Sequence, residues 1–289
     1  MRAARTGERG ADLALGIAAG VATAGLIAFV LLPIVAIFLR VPPGRLIAQL
    51  HSRVALQALG VSLKASLIAV ALILAVGTPA AHVLATRRFR GQGAILTLLE
   101  LPLVLPPAVA GIGLFAAFGR FGLLGGGLRA IGVEIPFTQI AVVMALVFVA
   151  SPFYVRQAVA AFASVDPQLV GAARTLGAGA AGTFLRVSIP LARPGLSAGA
   201  ALAWARALGE FGATIMFAGS LQGRTQTLPL AIYAQFSGGD LEAALAIAAL
   251  LVVVSAGLLA GIRVFLRARP SEGEEAGWSR RSTSPSVTV

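Results

Sequence analysis

LALGIAAGVATAGLIAFVLLPIVAIFL, from Leu13 to Leu39, contains no charged residue. Crossing about 30 Å of hydrocarbon at about 1.5 Å per residue takes roughly 20 apolar residues. Lipid offers no partner to a backbone amide, so a run of this length reads as a membrane-spanning helix. Arg2, Arg5 and Arg9 precede it, and Ala22-Thr23-Ala24 imitates a signal-peptidase site. A signal peptide, however, has an apolar region of only about 7 to 15 residues. This run continues through Ile34 and Phe38, so it is read as an uncleaved first span.

Five further runs follow: Ala65 to Ala85, Ile95 to Phe118, Ile135 to Val155, Leu196 to Phe217 and Ala243 to Phe265. The expected fold is therefore all-α and polytopic, with about six transmembrane helices. Composition agrees. The 289 residues are 58% hydrophobic and 12% charged, with mean hydropathy +0.91, whereas a soluble domain carries about 25% charge. The net charge of +12 raises nucleic acid as a partner, but the bases sit in short loops between apolar runs, and two Trp and two Tyr give few stacking platforms. No nucleic-acid partner is expected. Without cysteine there is no disulfide, thiolate site or Cys nucleophile. The two histidines, His51 and His82, fall short of a zinc donor set.

The bases orient the spans, because cytoplasmic loops hold the excess of Lys and Arg. Fifteen of the 23 fall on one side: Arg2, Arg5, Arg9, then Arg87, Arg88, Arg90, then Arg156, Arg174, Arg186, Arg193, then Arg263, Arg267, Arg269, Arg280 and Arg281. Both termini are expected in the cytoplasm. Residues 1–12 read as an N-terminal tail, 13–269 as the membrane domain and 270–289, polar and without apolar periodicity, as a disordered tail.

Gly16 with Gly20 and Gly195 with Gly199 are small-xxx-small pairs that permit close helix approach. They fit general interhelix packing or a specific dimer seam. Pro102, Pro106 and Pro107 interrupt the third run. Such breaks are tolerated against protein or a water-filled cavity, which makes Pro106 and Pro107 candidate pathway residues.

Between the fourth and fifth runs, residues 156–194 are too polar to span and too long for a plain connector. Asp166-Pro167 reads as a helix start, the Asp capping free amides and the Pro at a first-turn position. The helix continues from Gln168 to Leu176, and Gly177 stops or kinks it. A second piece, Thr183 to Ile189, is expected to end at Pro190.

This segment resembles a known family. Gly171-Ala172-Ala173, three residues, Gly177, nine residues, then Val187-Ser188-Ile189-Pro190 matches the spacing of the cytoplasmic EAA motif of binding-protein-dependent ABC importer permeases. The resemblance implies a type I permease architecture in which this loop is a coupling helix that docks into a groove on an ATPase subunit. Gly171, Ala172, Ala173, Arg174, Gly177 and Pro190 are then its coupling residues. Gly171 stands where the family has an acid, so a salt bridge from that position is not implied. Small residues at Ala172, Ala173 and Gly177 let a partner approach, and Arg174 and Arg186 supply polar anchors. The other reading of the loop is an amphipathic segment lying on the membrane surface.

A finer resemblance, to molybdate importer permeases, rests on LPLVLPP from Leu101 to Pro107, AARTLGA from Ala172 to Ala178, ARALGEFGAT from Ala205 to Thr214 and QTLP from Gln226 to Pro229. Sulfate permeases share the Arg-Ala-Leu-Gly-Glu part, and a sulfate or tungstate permease is the alternative within the family. The resemblance implies a second permease copy, two ATPase copies and an extracytoplasmic anion-binding protein, in addition to lipid. The lone lysine, Lys64, lies between Leu63 and Ala65, so the chain lacks a Gly-Lys-Ser/Thr phosphate loop. ATP would be bound by the partner subunit. No cofactor or catalytic residue is expected in the chain itself.

Glu100, Arg206 and Glu210 are the ionisable residues inside or at the edge of spans. A central charge costs about 2.5 to 3.5 kcal/mol on insertion scales, so each calls for a partner or water. Arg206 and Glu210, four apart, are expected on one helix face. Either Arg206 lends positive potential to an oxyanion pathway, or the two form a neutral pair that fixes packing. His82, Trp204 and Phe211 read as packing residues. Ser151, Thr214 and Thr225 read as satisfying helix carbonyls rather than meeting an anion. A secondary transporter with Glu100 or Glu210 as coupling carboxylate would carry internal repeats, and none is visible. An intramembrane enzyme lacks its catalytic constellation.

Overall fold

The structure is a computed structural model. It describes the backbone of residues 2–267 and the side chains of residues 15–261. The expected disordered tail at 270–289 lies outside the described residues. The backbone from Arg2 onward is helical, so residues 2–12 run continuously into the first span.

Every described regular element is helical. In order they are α1 (Arg2–Arg40), α2 (Pro43–Leu50), α3 (Arg53–Thr86), α4 (Gln92–Val104), α5 (Pro107–Phe118), α6 (Gly125–Ala130), α7 (Gln139–Ala163), α8 (Pro167–Thr175), α9 (Ala180–Thr183), a π turn (Phe184–Ser188), α10 (Ile189–Leu208), α11 (Gly212–Ala218), α12 (Leu228–Ser237) and α13 (Leu241–Arg267). The short helices α2, α6 and α12 were not anticipated from the apolar runs.

Among the described residues four helices are long and apolar enough to cross a membrane: Leu15–Arg40 of α1, α3, α7 and Leu241–Gly261 of α13. With α4 and α5 taken together there are five, yet the chain bends by 114° between that pair. The bend has a local cause. A residue preceding proline is pushed out of the α region. Leu105 precedes Pro106, which precedes Pro107, and both Leu105 and Pro106 are extended, at ψ 130 and 132. The third apolar run is thus a helix pair, broken at the prolines that interrupt it in the sequence. The run Leu196 to Phe217 is not one helix either, because α10 stops at Leu208 and α11 restarts at Gly212.

The chain divides into two compact units. The first comprises, among the described residues, 2–68, 106–146 and 208–254. Its core joins Ala55 and Ala58 of α3 to Leu228 and Ala231 of α12 and Ile247 of α13. Alanines on α3 leave room for the larger side chains, and the N–H of Leu228 donates to Ser62 Oγ at 2.7 Å. Helices α5 and α11 touch backbone to backbone: a Cβ on Gly111 would lie 2.6 Å from the carbonyl oxygen of Ala213.

The second unit comprises, among the described residues, 69–105, 147–207 and 255–267. Tyr154 of α7 is buried at its centre and shares a 2.6 Å hydrogen bond with Thr78 Oγ1 of α3. Helix α10 packs on α7 through Gly195 and Gly199. Added Cβ atoms there would lie 2.5 Å from Ala161 Cβ and 3.0 Å from Gln157 Cβ. Interhelix packing therefore accounts for that small-xxx-small pair. Gly16 and Gly20 have nothing within 4 Å of such a Cβ, and none of the spanning stretch of α1 is buried.

Candidate functional site

The loop between α7 and α10 is built from local signals. Asp166 is extended, at φ −60 and ψ 119, and its Oδ1 accepts from the N–H of Gln168 at 2.8 Å. Pro167, whose missing N–H costs nothing in the first turn, opens α8. At the other end Gly177 takes φ +89. Its N–H bonds the carbonyl of Arg174 and that of Ala178 bonds Ala173, both at 3.0 Å. This pairing is a Schellman stop, and it needs the left-handed residue that glycine supplies cheaply. The cap, the start and the stop lie where the sequence places them.

Helix α8 has two faces. Val170 and Ala173 are half-buried, while Gly171, Ala172, Arg174 and Gly177 are exposed. Leu169 and Leu176 are exposed at 49% and 88%, so the outer face shows small residues flanked by two bare leucines. Of the six expected coupling residues, the structure groups Gly171, Ala172, Ala173, Arg174 and Gly177 on α8 and its stop. Pro190 stands apart, as the second residue of α10, and it does not end a helix. From Ala180 to Leu208 the chain is helical without interruption, through α9, the π turn and α10. A proline ring clashes with the carbonyl four residues back in an ideal α-helix. The wider π turn directly before it relieves that clash.

The flanks of the expected 156–194 segment are likewise helical. Arg156 lies inside α7, and its Nε sits 3.8 Å from Glu100 Oε1 of α4. That pair gives Glu100 a partner within the chain. His82 packs as expected, its ring edge-on to Phe162 at 5.0 Å and tilted against Phe184 at 4.7 Å.

Of the four candidate pathway residues, three meet around the break before α11. Pro106 is the extended corner, Pro107 opens α5, and a Cβ on Gly212 would lie 2.9 Å from Pro107 Cβ. Glu210 is 1% exposed and its Oε1 accepts from the N–H of Ala213 at 2.7 Å, which caps α11. The fourth, Arg206, is half-buried on α10. Helix α10 ends at Leu208, so Glu210 lies just beyond the helix that carries Arg206. Thr225 Oγ1 is held by its own loop, accepting from Leu221 N at 3.0 Å. Among the described residues Thr214 Oγ1 and Thr227 Oγ1 are buried without a hydrogen-bond partner. Thr214 therefore does not satisfy a helix carbonyl as expected, and Thr227 belongs to the QTLP stretch that carries the finer resemblance.

Comparison with known proteins places these features in a family context. The family described as "Binding-protein-dependent transport system inner membrane component" matches residues 73–269. A molybdenum transport system permease protein of Mycobacterium tuberculosis is 45% identical over 243 residues, 83% of this chain and 90% of that protein. A probable transport system permease protein of Clostridium pasteurianum is 37% identical over 246 residues, 85% of this chain and 86% of its own. In fold, the chain is similar to a bacterial alginate ABC transporter solved with a pentasaccharide-bound periplasmic protein. The TM-score is 0.71 at 15% identity, covering 85% of this chain and 91% of that one.

Proposed function

Since the chain belongs to the family of inner-membrane components of binding-protein-dependent transport systems, we propose that it is the translocation subunit of an ATP-driven molybdate importer. The observation that carries this reading is α8: a short helix fixed at both ends, with its small residues and two leucines turned outward. A rigid exposed element of that kind can transmit motion, and its composition lets a partner lie close against it. Molybdate as cargo is supported by the relative that is 45% identical over most of both chains.

In this reading α8 docks into the ATPase subunit, with Gly171, Ala172, Ala173 and Gly177 as the close-contact surface and Arg174 as a polar anchor. Two copies of the chain pair with two ATPase copies, an extracytoplasmic protein delivers the anion, and both termini face the cytoplasm. ATP is bound and hydrolysed by the partner. The chain has no catalytic residue or cofactor of its own. Closure of the ATPase pair draws the coupling helices together and opens the pathway outward, and hydrolysis resets it. The breaks at Pro106-Pro107 and at residues 209–211 are the places where the pathway bends.

The test is reconstitution of the chain with its ATPase and binding protein in proteoliposomes. Molybdate uptake that requires ATP and exceeds sulfate uptake is the expected result. Uptake without the ATPase would overturn the coupling mechanism, and preference for sulfate would overturn the cargo.

A further inference from the structure

A cavity of about 410 Å³ lies where the ends of α3 and α7 approach α8 and the π turn. His82 and Thr86 of α3, Phe162 of α7, Arg174 of α8, and Phe184 and Ser188 of the π turn line it. Its size is in the range of small-ligand sites. Two polar groups in its wall lack a hydrogen-bond partner among the described residues: Ser188 Oγ, on a side chain only 2% exposed, and His82 Nδ1. Phe162 and Phe184 flank the imidazole, with ring centroids at 5.0 and 4.7 Å. A buried hydroxyl left unmatched is costly, which makes Ser188 evidence of a missing partner.

The charge in the wall has one sign. Among the described lining residues Arg174 is the charged side chain and none is a carboxylate. Nearby Asp166 spends an oxygen on the Gln168 amide of its own helix. A second, shallower opening shares Ala85 with the cavity and carries Arg88 and Arg90. Convergent donors with fixed positive charge suit a planar or tetrahedral oxyanion, and basic pockets at the ends of membrane helices bind lipid head groups.

We propose that this cavity binds a phosphate-type oxyanion, either as free phosphate or as the phosphodiester of an anionic lipid. Arg174 supplies the charge, and Ser188 Oγ and His82 Nδ1 supply hydrogen bonds. The cavity volume leaves room for the ester substituent over Phe162 and Phe184. Occupancy ties α8 to the ends of α3 and α7 and stiffens the base of the coupling element. Its existence does not depend on which anion is transported.

The test uses the full chain without ATPase, whose own phosphate site would interfere, in nanodiscs of phosphatidylcholine or phosphatidylglycerol. Labelled inorganic phosphate is titrated into the first, and thermal unfolding is compared between the two. Saturable phosphate binding in phosphatidylcholine supports the free-anion source. Stabilisation by phosphatidylglycerol without phosphate binding supports the lipid source. In either case Ser188→Ala and His82→Phe each weaken the effect about tenfold, the loss expected for one hydrogen bond to a charged group. No phosphate binding and no lipid-dependent stabilisation in the wild type overturns the proposal. So does an effect that survives both substitutions. The wild-type arm needs no variant, so misfolding of either substitution leaves the proposal open to refutation.

Discussion

Gly195 and Gly16 belong to the same sequence pattern and have opposite surroundings. A Cβ on Gly195 would sit 2.5 Å from Ala161 Cβ, whereas one on Gly16 would meet nothing within 4 Å. Gly195→Ala should therefore destabilise the chain by about 1 to 3 kcal/mol through overpacking, while Gly16→Ala stays within about 0.5 kcal/mol. Thermal unfolding in detergent separates the two. Glu210 gives a second residue-scale prediction. Its carboxylate caps α11, and an amide oxygen can accept the same hydrogen bond. Glu210→Gln should keep the α11 cap, and Glu210→Ala should lose about 1 to 3 kcal/mol by stranding the Ala213 N–H. Loss of uptake in Glu210→Gln with the fold intact would assign the charge itself a transport role. The pattern of small residues was legible from sequence, but a glycine states only that approach is permitted. What approaches is decided by a helix distant in the chain.

The elements that the sequence foretold best are those whose determinants are local. Helix α8 starts and stops on Asp166, Pro167 and Gly177, residues that act within one turn. Asp166→Ala should cost about 0.5 to 2 kcal/mol of cap energy and reduce ATPase stimulation by the binding protein. Asp166→Asn, which still accepts from Gln168, should retain both. The proline break between α4 and α5 was legible for the same reason. The break before α11 was not, since it depends on a carboxylate whose burial only the tertiary structure creates. Continuity through Pro190 was also missed: a proline marks a helix end in most settings, and the π turn that accommodates it leaves no compositional trace.

On the scale of the whole molecule, hydropathy located the membrane-crossing stretches but overcounted the continuous ones, because an apolar average is blind to a three-residue interruption such as 209–211. Deleting residues 166–177 should abolish ATP-driven uptake and copurification of the ATPase while the chain still inserts into membranes. Retained copurification would show that docking lies elsewhere. The uncovered spanning stretch of α1 has a further consequence, for biogenesis. A helix whose spanning stretch is not buried against its own chain can leave the ribosome and settle in lipid before any later helix has been made. Its insertion is thereby uncoupled in time from the assembly of the two units. A chain beginning at residue 41 should accordingly unfold within a few degrees of the full-length protein, because what it lost was an early arrival and not a keystone.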